Sequence, residues 1–360
     1  MLRRIVPCLA VLLAPLTASA ANGNKPRIPV VWSAAECGTV IDRSTTSVVH
    51  FEYTVPEEDL GELTMDEVDD SRRQQFFAFK RLDFKSSNSS PALPRWITQS
   101  DIDRAAMVDP MVAEMIAAGI APEEILETGA RFDPADWTRI TPDDARVPIS
   151  DAQAAMGVDW DVSAVAPGAW TIWGYTWEPT LNYWSARPGF VKIVESAAQA
   201  DAAGPAIALL TEAASTMVTT CEPHALMGCV DAPAGSTVTL EWGVVEGSVE
   251  PDWQAVVEDE AIATGPLALD LVLPATAAEA TGAIKLRVTV TDPSGKQYVA
   301  YSQGVYQAIA GADECEADSA SDGGGDGGGD DGCCSIGGAP PSQLFASVVL
   351  FALLRRRSTR

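Results

Sequence analysis

The chain has 360 residues, with 24 Lys and Arg against 50 Asp and Glu, for a formal net charge of −26. Six of the basic residues are Arg3, Arg4, Arg355, Arg356, Arg357 and Arg360, so the body between the ends sets 18 basic groups against 50 acidic ones. Such a surface repels phosphate backbones and excludes direct nucleic-acid binding. The length predicts about two domains, 47% apolar residues suffice for a core in each, and two histidines argue against a His-built active site.

Met1-Leu2-Arg3-Arg4 is a short positive start. Ile5 to Leu16 follow as an apolar run, and Ala18-Ser19-Ala20 forms a small-residue cleavage site. Residues 1–20 therefore read as a secretory signal, with the mature chain starting at Ala21. Cys8 lies inside the apolar run, away from the cleavage point.

Residues 21–198 read as a β-rich domain with a helical insertion at about 100–129. Val48 to Val55 alternates, with Val49, Phe51, Tyr53 and Val55 on one face and His50 and Glu52 on the other. Gln74 to Phe79 is a second strand. In the insertion, Ser100-x-x-Asp103 resembles a capping box. Asp109-Pro110 starts a helix that Gly119 stops, and Pro122-Glu123-Glu124 starts another ending near Gly129. Strand signals resume at Ala169 to Trp177 and at Phe190 to Glu195.

Five of the ten tryptophans, Trp160, Trp170, Trp173, Trp177 and Trp184, fall within 25 residues. Strand periodicity puts Trp173, Tyr175 and Trp177 on one face, with Trp170 and Ile172 on the other. An exposed row of this kind can stack sugar rings and is the candidate ligand site for a polysaccharide. If both faces are buried, the same row is core.

Residues 204–311 read as a β-sandwich. Thr237 to Trp242, Leu267 to Leu273 and Ile284 to Val290 alternate, Asp292-Pro293-Ser294-Gly295 is a turn, and Gln297 to Tyr306 returns as a strand. Leu286 to Gly295 resembles the penultimate strand and turn of bacterial Ig-like and PKD-like modules. That resemblance implies spacer and adhesive roles. The fold class is thus mainly β, with no internal sequence repeat.

Residues 312–332 are a linker. Asp313 to Asp331 holds eight acidic residues and no basic ones, includes Gly-Gly-Gly-Asp-Gly-Gly-Gly-Asp-Asp, and cannot build a core. Asp318-x-Ala320-x-Asp322-Gly323 lacks a middle calcium ligand. Acid-rich Thr64 to Asp70 reads as a solvated loop.

With Cys8, Cys333 and Cys334 set aside, Cys37, Cys221, Cys229 and Cys315 remain as disulfide candidates, since export favours disulfides. Cys221 and Cys229 bracket seven residues and form the natural local pair, which leaves Cys37 with Cys315. A metal site from Cys221, His224 and Cys229 lacks a fourth ligand, so no metal or cofactor is expected.

The last stretch, 333–360, starts at Cys333-Cys334, continues through Gly337-Gly338-Ala339-Pro340-Pro341 and an apolar run from Leu344 to Leu354, and ends in an arginine cluster. The 19 residues from Ile336 to Leu354 make a marginal transmembrane helix, with the arginines on the cytoplasmic side. This order resembles the MYXO-CTERM sorting tail of myxobacterial surface proteins. The resemblance covers about 28 residues and implies export, recognition by an intramembrane protease, transfer to the cell surface, and Cys333 or Cys334 as the processing and lipidation point.

No G-x-S-x-G, H-E-x-x-H or G-x-x-x-x-G-K-[ST] occurs. The expected function is non-enzymatic: an exported, tail-anchored or sorted cell-surface protein for adhesion or envelope structure. The alternatives are a glycan-binding module using Trp173, Tyr175 and Trp177, and an exported hydrolase with a carboxylate pair.

Overall fold

The computed structural model describes residues 29–33, 36–56, 73–80, 93–129, 132–177, 182–210, 215–245 and 250–311. The signal, the acid-rich 64–70 stretch, the linker and the tail, with Cys8, Cys315, Cys333 and Cys334, lie outside them.

The architecture is mainly β. The first half contributes β1 (Val31–Trp32), β2 (Gly38–Asp42), β3 (Val48–Phe51), β4 (Tyr53–Thr54), β5 (Arg73–Phe79), β6 (Trp137–Arg139), β7 (Val147–Pro148), β8 (Val158–Asp161), β9 (Gly168–Trp177), β10 (Tyr183–Ala186) and β11 (Phe190–Val194). The helices α1 (Gln99–Val108) and α2 (Pro110–Ala118) lie between β5 and β6, and α3 (Asp151–Ala154) follows β7. The second half contributes β12 (Ala206–Leu210), β13 (Ser215–Thr219), β14 (His224–Asp231), β15 (Ser236–Val245), β16 (Gln254–Ile262), β17 (Gly265–Leu271), β18 (Ala283–Thr291), β19 (Gln297–Tyr301) and β20 (Val305–Ile309).

In the second half, β12-β14-β17 form one sheet and β13-β20-β18-β15-β16 the other, with β19 added to β18. These supply the equivalents of immunoglobulin strands A, B and E on one sheet and G, F, C and C′ on the other. Trp242 on β15 is the buried tryptophan that this fold places on strand C. Val238, Leu240, Leu286, Val288 and Leu269 share its core.

The first half repeats this order. Its main sheet runs β2-β11-β9-β5-β6, with β10 added to β9, and β1-β4 and β3-β8 supply the facing pairs. In both halves the second strand runs parallel to the last, β2 with β11 and β13 with β20. The described residues therefore have the strand order of two Ig-like modules in tandem, a repeat not evident in the sequence. Strand order does not require shared residue identity, because a strand's pairing constrains which faces are apolar and not which residues fill them.

The alternation of Val49, Phe51, Tyr53 and Val55 is real, and all four are buried. His50 on the other side pairs with Asp159, Nδ1 to Oδ1 at 2.7 Å. The single strand expected from Gln297 to Tyr306 is broken into β19 and β20. At the break, the Ser302 hydroxyl accepts from Leu286 N and donates to Gly304 O.

Two helix expectations shift. The cap is Thr98, whose hydroxyl accepts from Asp101 N at 3.2 Å, two residues before the expected Ser100 and Asp103. Asp109 caps α2 and Gly119 ends it, as expected. Pro122–Glu124 is one 3₁₀ turn, not a helix reaching Gly129: Trp96 and Ile125 form a bridge that draws the chain into extended backbone.

Candidate functional site

The aromatic row comes first. Trp173, Tyr175 and Trp177 share a face of β9, as periodicity requires, and are 1%, 0% and 3% exposed. The insertion roofs them with Trp96, Ile97, Ile102, Ala105 and Val112. The segment before α1 is pinned across the row. Tyr175 Oη and Asn182 Nδ2 both donate to Arg95 O, at 3.3 and 2.6 Å, and Trp184 Nε1 donates to Pro94 O at 2.8 Å. Asp101, 2% exposed, holds the roof's other side through a bidentate pair with Arg146 at 2.7 and 3.2 Å. This corrects the sugar-stacking expectation: no face of Trp173, Tyr175 or Trp177 reaches solvent, and the row is core.

The cysteines are corrected too. Cys37 bonds Cys229, 192 residues away, so neither Cys221–Cys229 nor Cys37–Cys315 forms. Cys221 is itself disulfide-bonded. The physical reason is the pleat of β14. Leu226 and Val230 point into the second core, which turns Cys229 to the outer face, against Ala208, Ala169 and Phe190. Spacing alone put His224 in a loop; it opens β14, with its ring 6.2 Å from that of Tyr306.

These residues belong to the junction of the two modules. β11 is buried on both faces. Val191 and Ile193 point into the first core, and Phe190 and Lys192 face the second module. Lys192 Nζ meets Asp231 Oδ2 at 2.5 Å with its side chain 1% exposed. Disulfide, ion pair and apolar contact thus join the same two surfaces. A lysine in the apolar run Phe-Val-Lys-Ile-Val was the sequence signal for this contact.

Beside the junction is an open cleft of about 600 Å³. Lys80, Asp136 and Gly168 line it from the first module, and Lys296, Gln297 and Tyr298 from the second. Lys80 Nζ is 3.7 Å from Asp136 Oδ1, and Lys296 Nζ donates to Ala202 O at 2.9 Å. Burial pushes the Tyr298 phenol well above its ordinary value. Sequence reasoning missed this cleft because its residues are far apart in the chain and singly ordinary.

A second, half-buried feature lies on the outer face of the second module. Arg287 makes a bidentate pair with Glu241 at 2.6 and 2.7 Å and stacks over Trp253 at 4.7 Å. The Trp253 and Tyr301 rings are 5.8 Å apart. Among the described residues no group of three or more His, Cys, Asp or Glu is placed to hold a metal ion, and no helix is long and apolar enough to cross a membrane.

No protein-family model matches the chain, and no curated protein matches it in sequence. Among solved structures, murine CRIg is similar at 14% identity, covering 29% of this chain and 98% of that one, with a TM-score of 0.19. The four N-terminal Ig domains of Dscam1 isoform 8.4 are similar at 12% identity, covering 78% of this chain and 51% of that one, with a TM-score of 0.18. Isoform 4.4 gives 10%, 79%, 53% and 0.19. The chain thus spans about half the length of the Dscam1 fragments. At such TM-scores the likenesses carry no argument, and the Ig-like description rests on strand order.

Proposed function

We propose that this chain is a non-enzymatic surface protein, exported by residues 1–20, whose two Ig-like modules act as one stiff unit in adhesion or envelope structure. The Asp/Gly linker 312–332 then serves as its stalk, and the tail 333–360 as its anchor or sorting signal. The observation that carries the reading is the Cys37–Cys229 disulfide joining the two modules. Disulfides of this kind belong to oxidising, extracytoplasmic compartments. A cross-linked, apolar junction suits a protein that bears load or presents a surface at fixed geometry.

The test is the mature protein isolated from its own envelope, together with a deletion strain. Expected are a chain starting at Ala21, truncated near Cys333 or Cys334 with added lipid mass, susceptible to protease added to whole cells, and a deletion strain with weakened attachment or an altered envelope. A cytoplasmic chain, or a hydrolytic activity abolished by replacing specific carboxylates, would overturn it.

A further inference from the structure

We infer that the cleft between the modules binds a carboxylate-bearing polysaccharide, a uronate chain in chemical class. The inference rests on display outside the cytoplasm only for access to such a polymer. The binding itself is argued from the cleft.

Four lysines fall among the described residues: Lys80, Lys192, Lys285 and Lys296. Lys192 and Lys285 are buried in structural contacts. The other two both line this cleft, one from each module. On a chain of net charge −26, the cleft gathers two ammonium groups, one from each module. Asp136 at 3.7 Å and the Trp170 ring at 5.7 Å partly compensate Lys80, and Asp292 partly compensates Lys296; a uronate carboxylate would compete with these contacts for both ammoniums. Lys296 uses one donor on Ala202 O and keeps two for a ligand.

The other walls distinguish a sugar chain from a simple anion. Asp136 offers acceptors and Gln297 both a donor and an acceptor for hydroxyls, and the half-buried Tyr298 ring offers apolar surface to a pyranose face. Gly168 and Gly204 bring no side chain to fill the space. The volume falls in the range of ligand clefts, which favour domain interfaces. The disulfide and the Lys192–Asp231 pair fix the two walls relative to each other, so little ordering cost falls on binding.

The test is calorimetric titration of the purified, disulfide-intact chain with hexagalacturonate, with maltohexaose and hexaglutamate as comparison probes, for wild type and for Lys80→Gln/Lys296→Gln. Both lysines are at least partly exposed, so the variant keeps its fold, and an unchanged melting curve checks this. Expected are binding of the uronate hexamer, at least tenfold weaker binding of the other two, at least tenfold loss in the double variant, and weakening as salt rises from 50 to 500 mM. No uronate binding, equal binding by the double variant, or preference for maltohexaose or hexaglutamate overturns the inference. A chain that binds uronate but resides in the cytoplasm overturns the surface reading instead and leaves the cleft assignment standing.

Discussion

Lys192 and Asp231 belong to different modules, yet their charged atoms lie 2.5 Å apart, with the lysine side chain 1% and the aspartate side chain 23% exposed. A buried ammonium is tolerated only when paired. The second module is therefore part of the environment that lets β11 carry a lysine among apolar residues. Replacing Asp231 with Leu strands the ammonium and should cost about 3–5 kcal/mol. Lys192→Met/Asp231→Leu should recover most of that loss. Urea unfolding of the four members of the cycle checks this, and a double variant no more stable than Asp231→Leu would count against it.

Cys37–Cys229 closes a loop of 192 residues. In the chain-entropy account such a long loop is worth up to about 5 kcal/mol, with strain able to reduce it. Cys37→Ser/Cys229→Ser should lower stability by at least about 2 kcal/mol and speed proteolysis between the modules. The expected cut lies near Ala203-Gly204-Pro205. A loss under about 0.5 kcal/mol, far below the usual range, would show that the junction is held by packing alone.

Asp101 ties the roof of the aromatic row to Arg146, which also pairs with Asp143 at 2.7 Å. Burial pushes the Asp101 carboxyl above its ordinary range, against the pull of Arg146. Asp101→Ala leaves a mostly buried guanidinium with one exposed partner and should cost about 3 kcal/mol. The loss should appear locally, as faster amide exchange in α1 and α2 and red-shifted tryptophan emission from Trp173 and Trp177. Uniform destabilisation with unchanged emission would argue against a roof.

Trp173→Ala should cost about 3–5 kcal/mol, the usual result of emptying a large aromatic site in a core. It should leave any sugar binding at the junction cleft unchanged per folded molecule. Chemical denaturation and titration of the same preparation separate the two effects. Retained stability would mean that the row is less enclosed than its exposure of 1% implies.

Lys285 is 4% exposed, with its ammonium donating to Ser302 O and Gln303 O, both at 2.9 Å. Burial pulls its pKa down to about 8, below the value of about 10.4 expected when unfolded. Between these values the unfolded chain holds more protons than the folded one, so stability rises with pH across about 8 to 10.4. Below about pH 8 both states are protonated, and the burial cost is constant. Stability against pH for wild type and Lys285→Met checks this, with the rise expected in wild type and flattened in the variant. Tyr53, pushed up to about 12 by burial, acts in the opposite direction only above about pH 10.

Much of the fold was legible in local pattern. Alternation located β3 with β4, β15, β17 and β18, because a strand with one face on a core must alternate, and apolar and aromatic runs located β5, β9 and β11, which are buried on both faces. Asp109-Pro110 and Gly119 marked α2 because capping chemistry is local. The candidate site was less legible. Trp173, Tyr175 and Trp177 were placed correctly on one face, but what covers a face is not written in the strand that owns it. The two-module symmetry was invisible because it resides in which strands pair, and pairing constrains hydrophobic pattern far more than identity.

By itself, then, the sequence determined β3 with β4, β5, β9, β11, β15, β17 and β18, the α2 helix and the shared face of the aromatic row, all set by interactions within a few residues. Only the tertiary structure decided that Cys229 reaches Cys37 and not Cys221, that the row is core, and that Lys80 and Lys296 share one cleft. Each of these joins residues from distant parts of the chain. The partner is chosen by the packing of whole sheets, a contribution to free energy that no local segment contains.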